Sequence, residues 1–335
     1  MTTPCIIRGL GHCVPETRLT NADLERMVDT NDEWITSRTG IKERRIAALG
    51  ETTVSLSHQA ALRALENAGI QAEELTHILV ATFTPDAYIP SAACMLADRL
   101  GIKGRAAMDI SAACSGFLFA LETARAFICL HPEAKVLVTA TDVVSSRLDY
   151  TDRSICILFG DGAGAAVITA DTGPAGPPPA VSAKVLDVML ATDGSVNGLL
   201  TVKGGGSGTP YKPGETLRRD FFVEMNGREV YKYAVRAMSS ICKQMLEKHA
   251  LSTEQVDVFI PHQANMRIIE AVGSRLDMPA EKIFTNVQKY GNTSAASVII
   301  ALSEARAEGF VKDGNLVLLS TFGGGFTWGS ALLRF

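Results

Sequence analysis

The chain repeats itself. LFALETARA at 118–126 matches IIALSEARA at 299–307, an offset of 181 residues. VLVTAT at 136–141 and VLLSTF at 317–322 fall at the same offset, and THILVAT at 76–82 aligns with DVFIPH at 257–262 at an offset of 180. GAAVI at 164–168 resembles GSALL at 329–333 at a shorter offset, as an insertion confined to the first copy would produce. Three ordered matches at nearly constant spacing point to an internal duplication. Each copy reads as strand, apolar helix and strand, the signature of α/β layering.

Between the copies lies DTGPAGPPPA at 171–180, whose four prolines and two glycines rule out regular structure. The chain therefore divides into two halves, residues 1–172 and 181–335. Strands are expected at Ile78–Thr82, Val136–Ala140, Val256–Ile260 and Leu316–Ser320, and helices at Ser55–Ala68, Phe117–Leu130, Tyr231–His249 and Ser294–Glu308. A chain of 335 residues, 47% hydrophobic and 20% charged, can bury such layers without staples.

The formal net charge of -4 argues against a protein that tracks nucleic-acid phosphates. One basic cluster, RTGIKERR at Arg38–Arg45, reads either as a solvated loop or as a landing place for an anionic ligand. Seven cysteines without a CxxC pair support neither a zinc knuckle nor a redox motif, and fit a reducing compartment. No secretory leader is visible in MTTPCIIRGL, and no apolar run is read as approaching a membrane span. A cytoplasmic protein is expected.

Three residues could carry chemistry. Cys114 sits in MDISAACSGFLFAL, ahead of a helix apolar nearly all round. The start of such a buried helix offers free N–H groups and favours a thiolate; an ordinary buried cysteine is the other reading. His262, in FIPHQANMRII, should stand at a strand end, because Pro261 stops a central strand. It is either a site residue or a structural histidine. Asn292, in KYGNTSAASVIIAL, reads first as a helix N-cap. The duplication sets Cys114 and Asn292 at matching helix starts and His262 at a strand end, where ligands gather in α/β folds.

The glycine-rich stretches do not read as phosphate loops. GLGHCV at 9–14 has Val14 in the third glycine position, and KGGGSG at 203–208 lacks the following Lys-Ser/Thr. GDGAGAAV at 160–167 and GGGFTWG at 323–329 precede short strands rather than helices. They read as tight turns, with Gly323–Gly325 placed to expose N–H groups as an oxyanion site.

Taken together, DEWITSRTGI, ACSGF, FGDGAGAA, PHQANMRI, YGNTSAAS and FGGGFTWGSALLRF resemble the β-ketoacyl-acyl carrier protein synthase III family over essentially the whole chain. The resemblance implies a thiolase-like α/β fold, two halves in five αβαβα layers, and a homodimer. It implies the initiating condensing step of type II fatty-acid synthesis, with no cofactor and no metal. Coenzyme A and acyl carrier protein thioesters are then the substrates, and neither nucleic acid nor membrane is a partner.

Carried over by motif, Cys114 matches the nucleophile, His262 and Asn292 its partners, and the N–H groups of Cys114 and Gly324 the oxyanion hole. Trp34, Arg38, Arg153 and Asn265 match coenzyme A contacts. Gln263, Ala264, Asn265, Met266 and Arg267 match the segment where the carrier docks. Ile89 matches a position that limits the acyl pocket across the dimer, and Ser115 stands where Ala is frequent.

Competing readings fare less well. A degradative thiolase needs a second catalytic cysteine, yet Cys242 is the only cysteine of the C-terminal half. An elongating synthase needs a second histidine after His262, and none follows. A non-catalytic partner subunit would lack one of the three residues. A dehydrogenase rests only on the incomplete GLGHCV. A paralogue making a ketide or quinolone remains the alternative.

Overall fold

A computed structural model describes residues 3–172 and 179–335. Most of the linker expected at 171–180 lies outside the described residues. One mixed sheet contains β1 (Cys5–Cys13), β2 (His77–Ala81), β3 (Ala106–Ile110), β4 (Lys135–Asp142), β5 (Gly162–Ala170), β6 (Ala183–Thr192), β7 (Val258–Pro261), β8 (Leu316–Gly323) and β9 (Thr327–Arg334). Its order is β7-β8-β9-β6-β1-β5-β4-β2-β3. The longer helices are α1 (Asp32–Thr39), α2 (Thr53–Ala68), α3 (Ala92–Arg99), α4 (Gly116–Leu130), α5 (Gly227–Lys248), α6 (Met266–Arg275) and α7 (Ser297–Ala307).

Alternation along the strands decides the layering, because successive side chains leave a strand on opposite faces. In β2, Leu79 and Ala81 join a core with α4 and α7, whereas Ile78 and Val80 join a second core with α2 and α3. In β8, Val317 and Leu319 face the α4–α7 core while Leu316 and Leu318 face α5 and α6. Helices and strand groups thus stack as αβαβα, the five layers expected. The two strand groups are joined along one edge by a three-residue antiparallel pairing of Cys5–Ile7 with Ala183–Val185.

Helix α4 lies in the middle layer, with Phe117, Leu118, Leu121 and Ile128 fully buried. Each such side chain contributes about 2 kcal/mol of transfer free energy. The expectation about apolar runs is corrected here. Ala113–Leu130 has the length and mean hydropathy, 1.5, of a membrane span. Half of that window is buried, because sheet strands cover the helix from two sides, while Glu122 and Arg125 pair with each other on its partly exposed side.

The strand register measures the duplication. Parallel pairing sets His77 opposite Val136 and Val258 opposite Val317. The offset is therefore 181 here also, one residue more than the alignment of THILVAT with DVFIPH. Antiparallel pairing sets Ala140 opposite Gly164 and Thr321 opposite Gly329, which accounts for the shorter offset of that last match. Pro261 closes β7 on the outermost strand, where a missing N–H costs no ladder bond. The glycines of GLGHCV serve packing: a Cβ on Gly9 or Gly11 would lie 2.1 or 2.4 Å from carbonyl oxygens of α2.

Candidate active site

Cys114 occupies a single 3-10 turn, Ala113–Ser115, that leads into α4. Ala113 has a φ of +45°, a conformation few side-chain-bearing residues adopt. The turn is tied to β9: the Ser115 hydroxyl donates to the Thr327 carbonyl at 3.0 Å, and the Thr327 hydroxyl donates to the Ala112 carbonyl at 2.9 Å. Gly323 lies directly beneath, and a Cβ there would stand 2.6 Å from the Cys114 nitrogen. Among the described residues the N–H groups of Cys114 and Gly324 donate to no other backbone group.

Burial pushes the Cys114 thiol up to about 12; the Ser294 hydroxyl, 3.4 Å from Sγ, works against this, and the nearby Asp142 carboxylate adds to it. Burial thus opposes the thiolate that the helix start favours.

His262 follows β7, its backbone N–H donating to Ser320 at 2.7 Å. Its ring Nδ1 is 2.5 Å from the Ser297 hydroxyl. Burial pushes it down to about 3, so the ring is neutral at physiological pH. Asn292 is clamped by its backbone, its N–H donating to Leu158 at 2.8 Å and its carbonyl accepting from Gly160 at 3.1 Å. It does not cap α7, which opens after a 3-10 turn at Ser294–Ala296. Its Oδ1 accepts from the Ser294 N–H at 2.9 Å, which leaves Nδ2 as a donor.

Two cavities meet at Cys114. One, of about 360 Å³, runs from Trp34, Arg38, Asn265 and Arg267 to His262, Asn292 and Cys114. The other, of about 480 Å³, lies beyond the thiol against Phe83, Tyr88, Phe159, Leu200 and Val223, with Arg147 and Gly324 in its wall. At the outer end, the Trp34 ring is flanked by the guanidinium groups of Arg38 and Arg153, 5.2 and 5.3 Å from its centroid. That surround suits a planar anionic group. Arg153 also pairs with Asp29 at 3.1 Å.

Asn265 caps α6 through Oδ1, which accepts from the Ile268 N–H at 3.0 Å. Arg267 is exposed and lies 5.8 Å from the Tyr231 ring. Ala264 and Met266 are half-buried, Met266 against Gly40.

Gln263 is a correction. It is buried, its amide N–H donates to Pro261 and Phe284, and its Oε1 accepts from Asn286 and Val287, so it holds a loop and has no capacity for a carrier. The basic cluster also divides. Arg38 reaches the cavity, whereas Arg44 is fully buried and donates to Leu19, Asn21 and Ile157. Ile89 is 89% exposed and lines neither cavity of its own chain.

Sequence reasoning missed Ser294, Ser297 and Asp142. A usable signal existed, since Ser294 and Ser297 stand 181 residues after Ala113 and Gly116, where the copies differ in polarity. No cluster of three or more potential metal ligands occurs among the described residues.

Fold and site together define a class: a five-layered αβαβα protein whose buried thiol stands where a tunnel with arginines at its outer end meets a second chamber. Residues 108–194 match the family described as 3-oxoacyl-(acyl-carrier-protein) synthase III, and residues 246–335 match its C-terminal family. The chain is 53% identical over 334 residues to β-ketoacyl-(acyl-carrier-protein) synthase III of Oleidesulfovibrio alaskensis, covering 100% of each. The crystal structure of 3-oxoacyl-(acyl-carrier-protein) synthase III from Aquifex aeolicus superposes with a TM-score of 0.89 at 46% identity, covering 99% of this chain and 100% of that one. The priming β-ketosynthase of a polyketide pathway superposes at 0.87 and 33% identity, covering 98% and 96%. The chain belongs to the β-ketoacyl-acyl carrier protein synthase III family and has its thiolase fold.

Proposed function

We propose that this protein is the initiating condensing enzyme of type II fatty-acid synthesis. It would join an acyl-CoA primer to malonyl-acyl carrier protein by decarboxylative Claisen condensation through an acyl-Cys114 intermediate, giving 3-oxoacyl-acyl carrier protein, CoA and CO2. The observation that carries the reading is the position of Cys114 at the junction of the two cavities, with the polar groups of His262 and Asn292 on the tunnel side only.

The chemistry follows from the groups present. A primer enters by the tunnel, its adenine end at Trp34, Arg38 and Arg153 and its pantetheine arm passing Asn265. The Cys114 sulfur attacks the thioester carbon, the N–H groups of Cys114 and Gly324 receive the oxyanion, and CoA departs. The acyl chain occupies the chamber beyond. In the second half-reaction, loss of CO2 from the malonyl group generates the carbanion directly, so no general base is needed. Neutral His262 and the Asn292 amide each donate a hydrogen bond to the enolate oxygen. The lowered basicity of His262 supports this, because a protonated ring could not persist at that depth.

The carrier, an acidic partner, docks at Arg267 with Ala264 and Met266 beside the tunnel mouth. A second copy of the chain completes the chamber with Ile89, whose exposure beside the chamber residue Tyr88 supports a homodimer. The halves 1–172 and 181–335 are copies that each contribute one helix start to the site. No cofactor is required by this scheme, and the cytoplasm is its compartment.

Intact-protein mass spectrometry after incubation with a panel of acyl-CoAs tests the proposal. An adduct that disappears in Cys114→Ala supports it, and the preferred mass names the primer. No adduct with any acyl-CoA sinks it.

A further inference from the structure

The two copies part company on the way to the turn that opens each middle-layer helix. In the first copy the run from Ala81 to Ala113 contains β3, which pairs in parallel with β2, His77–Ala81 lying against Ala106–Ile110. In the second copy the run from His262 to Ser294 has the same length. It makes an isolated bridge, Phe259 with Ile283, and then leaves the sheet edge as a short helix, Val287–Tyr290, that leads into Asn292. Side chains, rather than a ladder of backbone bonds, hold the segment that carries Asn292.

Those side chains converge on Glu304, which is buried in α7. Its Oε2 accepts from the Asn286 amide at 2.8 Å, and its Oε1 from the Tyr290 hydroxyl at 2.9 Å and the Lys289 ammonium at 3.0 Å. The same segment is tied to the strand end that carries His262. The Gln263 Oε1 accepts from the N–H groups of Asn286 and Val287 at 2.9 and 3.2 Å, and its amide donates to the Pro261 and Phe284 carbonyls at 2.7 and 3.3 Å. At the far end Gly291, with a φ of +65°, turns the chain into Asn292. In the first copy the position 181 residues before Glu304 is Thr123, whose hydroxyl returns to its own helix at the Phe119 carbonyl, 2.8 Å away.

We propose that Glu304 is a positioning residue for the decarboxylation half of the reaction: through Asn286 and Gln263 on one side and Tyr290 on the other, it fixes the spacing of His262 and Asn292. The inference rests on the reading of those two residues as donors to the enolate oxygen. Two donors stabilise one oxygen only when both reach it together. Their backbones belong to different segments, the end of β7 and the loop 284–292, so the bonds that join those segments set the geometry. The Cys114 turn is tied to β9 instead, through Ser115 and Thr327.

The direction of the effect follows from the bonds. A carboxylate taken into a buried helix face needs its oxygens satisfied, and amide, phenol and ammonium groups of one short segment satisfy them. Without the carboxylate, the Asn286 amide and the Tyr290 hydroxyl lose their acceptor, while Lys289 keeps Glu308 at 3.1 Å. Gln263 still holds the start of the loop, so its far end is what comes free. The displacement should fall on Asn292 more than on His262, whose ring is also held by Ser297 at 2.5 Å.

The test compares the two half-reactions in Glu304→Ala and Tyr290→Phe. In Glu304→Ala, CO2 release from malonyl-acyl carrier protein should fall by about 10²-fold, in kcat with KM little changed, because the donors act on the developing enolate. Single-turnover acylation of Cys114 by acetyl-CoA should keep the unmodified rate. Glu304→Gln, whose amide oxygen can still accept from Tyr290, should recover most of the loss. Tyr290→Phe removes one half-buried oxygen and should show a smaller loss of the same kind; it decides the matter if Glu304→Ala does not fold. Amide hydrogen exchange, read by mass spectrometry, should quicken over residues 286–292 and not over 113–116. Unmodified CO2 release in Glu304→Ala overturns the positioning role, as does an equal loss of both half-reactions, or unmodified release in Tyr290→Phe where that variant alone folds. An unmodified protein that releases no CO2 would defeat the proposed function instead, and exchange would then decide alone whether Glu304 holds the loop.

Discussion

The turns Ala113–Gly116 and Ser294–Ser297 are one structure made twice, and only one of them holds a thiol. Each opens on a residue of positive φ, +45° at Ala113 and +52° at Ser294, passes through a 3-10 turn and becomes a middle-layer helix. What differs is the residue that each turn's free N–H groups meet. Position 142 of β4 and position 323 of β8 are equivalent at the 181-residue offset. Asp142 covers the N–H of Ala295, whereas Gly323 presents no side chain to the N–H of Cys114. A helix start attracts an anion. One turn has a permanent carboxylate; the other is open to a transient oxyanion. The same offset pairs Gly116 and Ala81 with Ser297 and His262, so small residues in one copy become a hydrogen-bonded pair in the other.

This contrast can be broken most completely by Cys114→Ala, which makes the two turns alike. No acyl adduct and no condensation product are expected by mass spectrometry and product assay. Next in size is the removal of a polar group from the second copy. His262→Ala or Asn292→Ala should lower malonyl decarboxylation, measured as CO2 release, by about 10²–10³-fold. Acyl transfer to Cys114 should remain, and an equal loss in both half-reactions would refute the division of labour.

Gly323→Ala places a methyl group against the Cys114 N–H. Single-turnover acylation should fall by about 10²-fold, with destabilisation of about 1–3 kcal/mol from overpacking. Full acylation in that variant would show that the uncovered N–H is idle.

A subtler consequence concerns pH. His262 is pushed well below its ordinary 6.5, to about 3, so the unfolded chain binds this proton more readily than the folded one. Stability should therefore fall as pH drops below 6.5, by at most about 1.4 kcal/mol per unit from this residue. Urea unfolding between pH 7 and 4 measures it, and a His262→Gln variant should show a flatter dependence. The smallest effect is expected from Ala295→Cys. A thiol there faces an N–H already held by Asp142 and should gain no acyl adduct.

Much of this was legible in the residues. The 181-residue repeat announced the strand–helix–strand units, and the period of apolar residues placed the helices within a few positions. Cys114, His262 and Asn292 could be nominated because residue type and position relative to element ends are local properties. Their protonation states were not legible. Whether Cys114 is a thiolate depends on how a helix start competes with desolvation, and desolvation is set by neighbours from distant segments. Gln263 was misjudged for a related reason, since three of its four hydrogen bonds are to Phe284, Asn286 and Val287, which reach it only in the fold.

By itself the amino-acid order determined the two copies, their layers and the residue types able to do chemistry, because strand and helix periodicity are written along the chain. Only the tertiary structure decided that Asp142 of one copy covers the turn of the other while Gly323 leaves its counterpart bare. That pairing joins residues 153 positions apart across a shared middle layer. Local propensity acts over a few residues, but burial and electrostatics are properties of what the folded chain brings together.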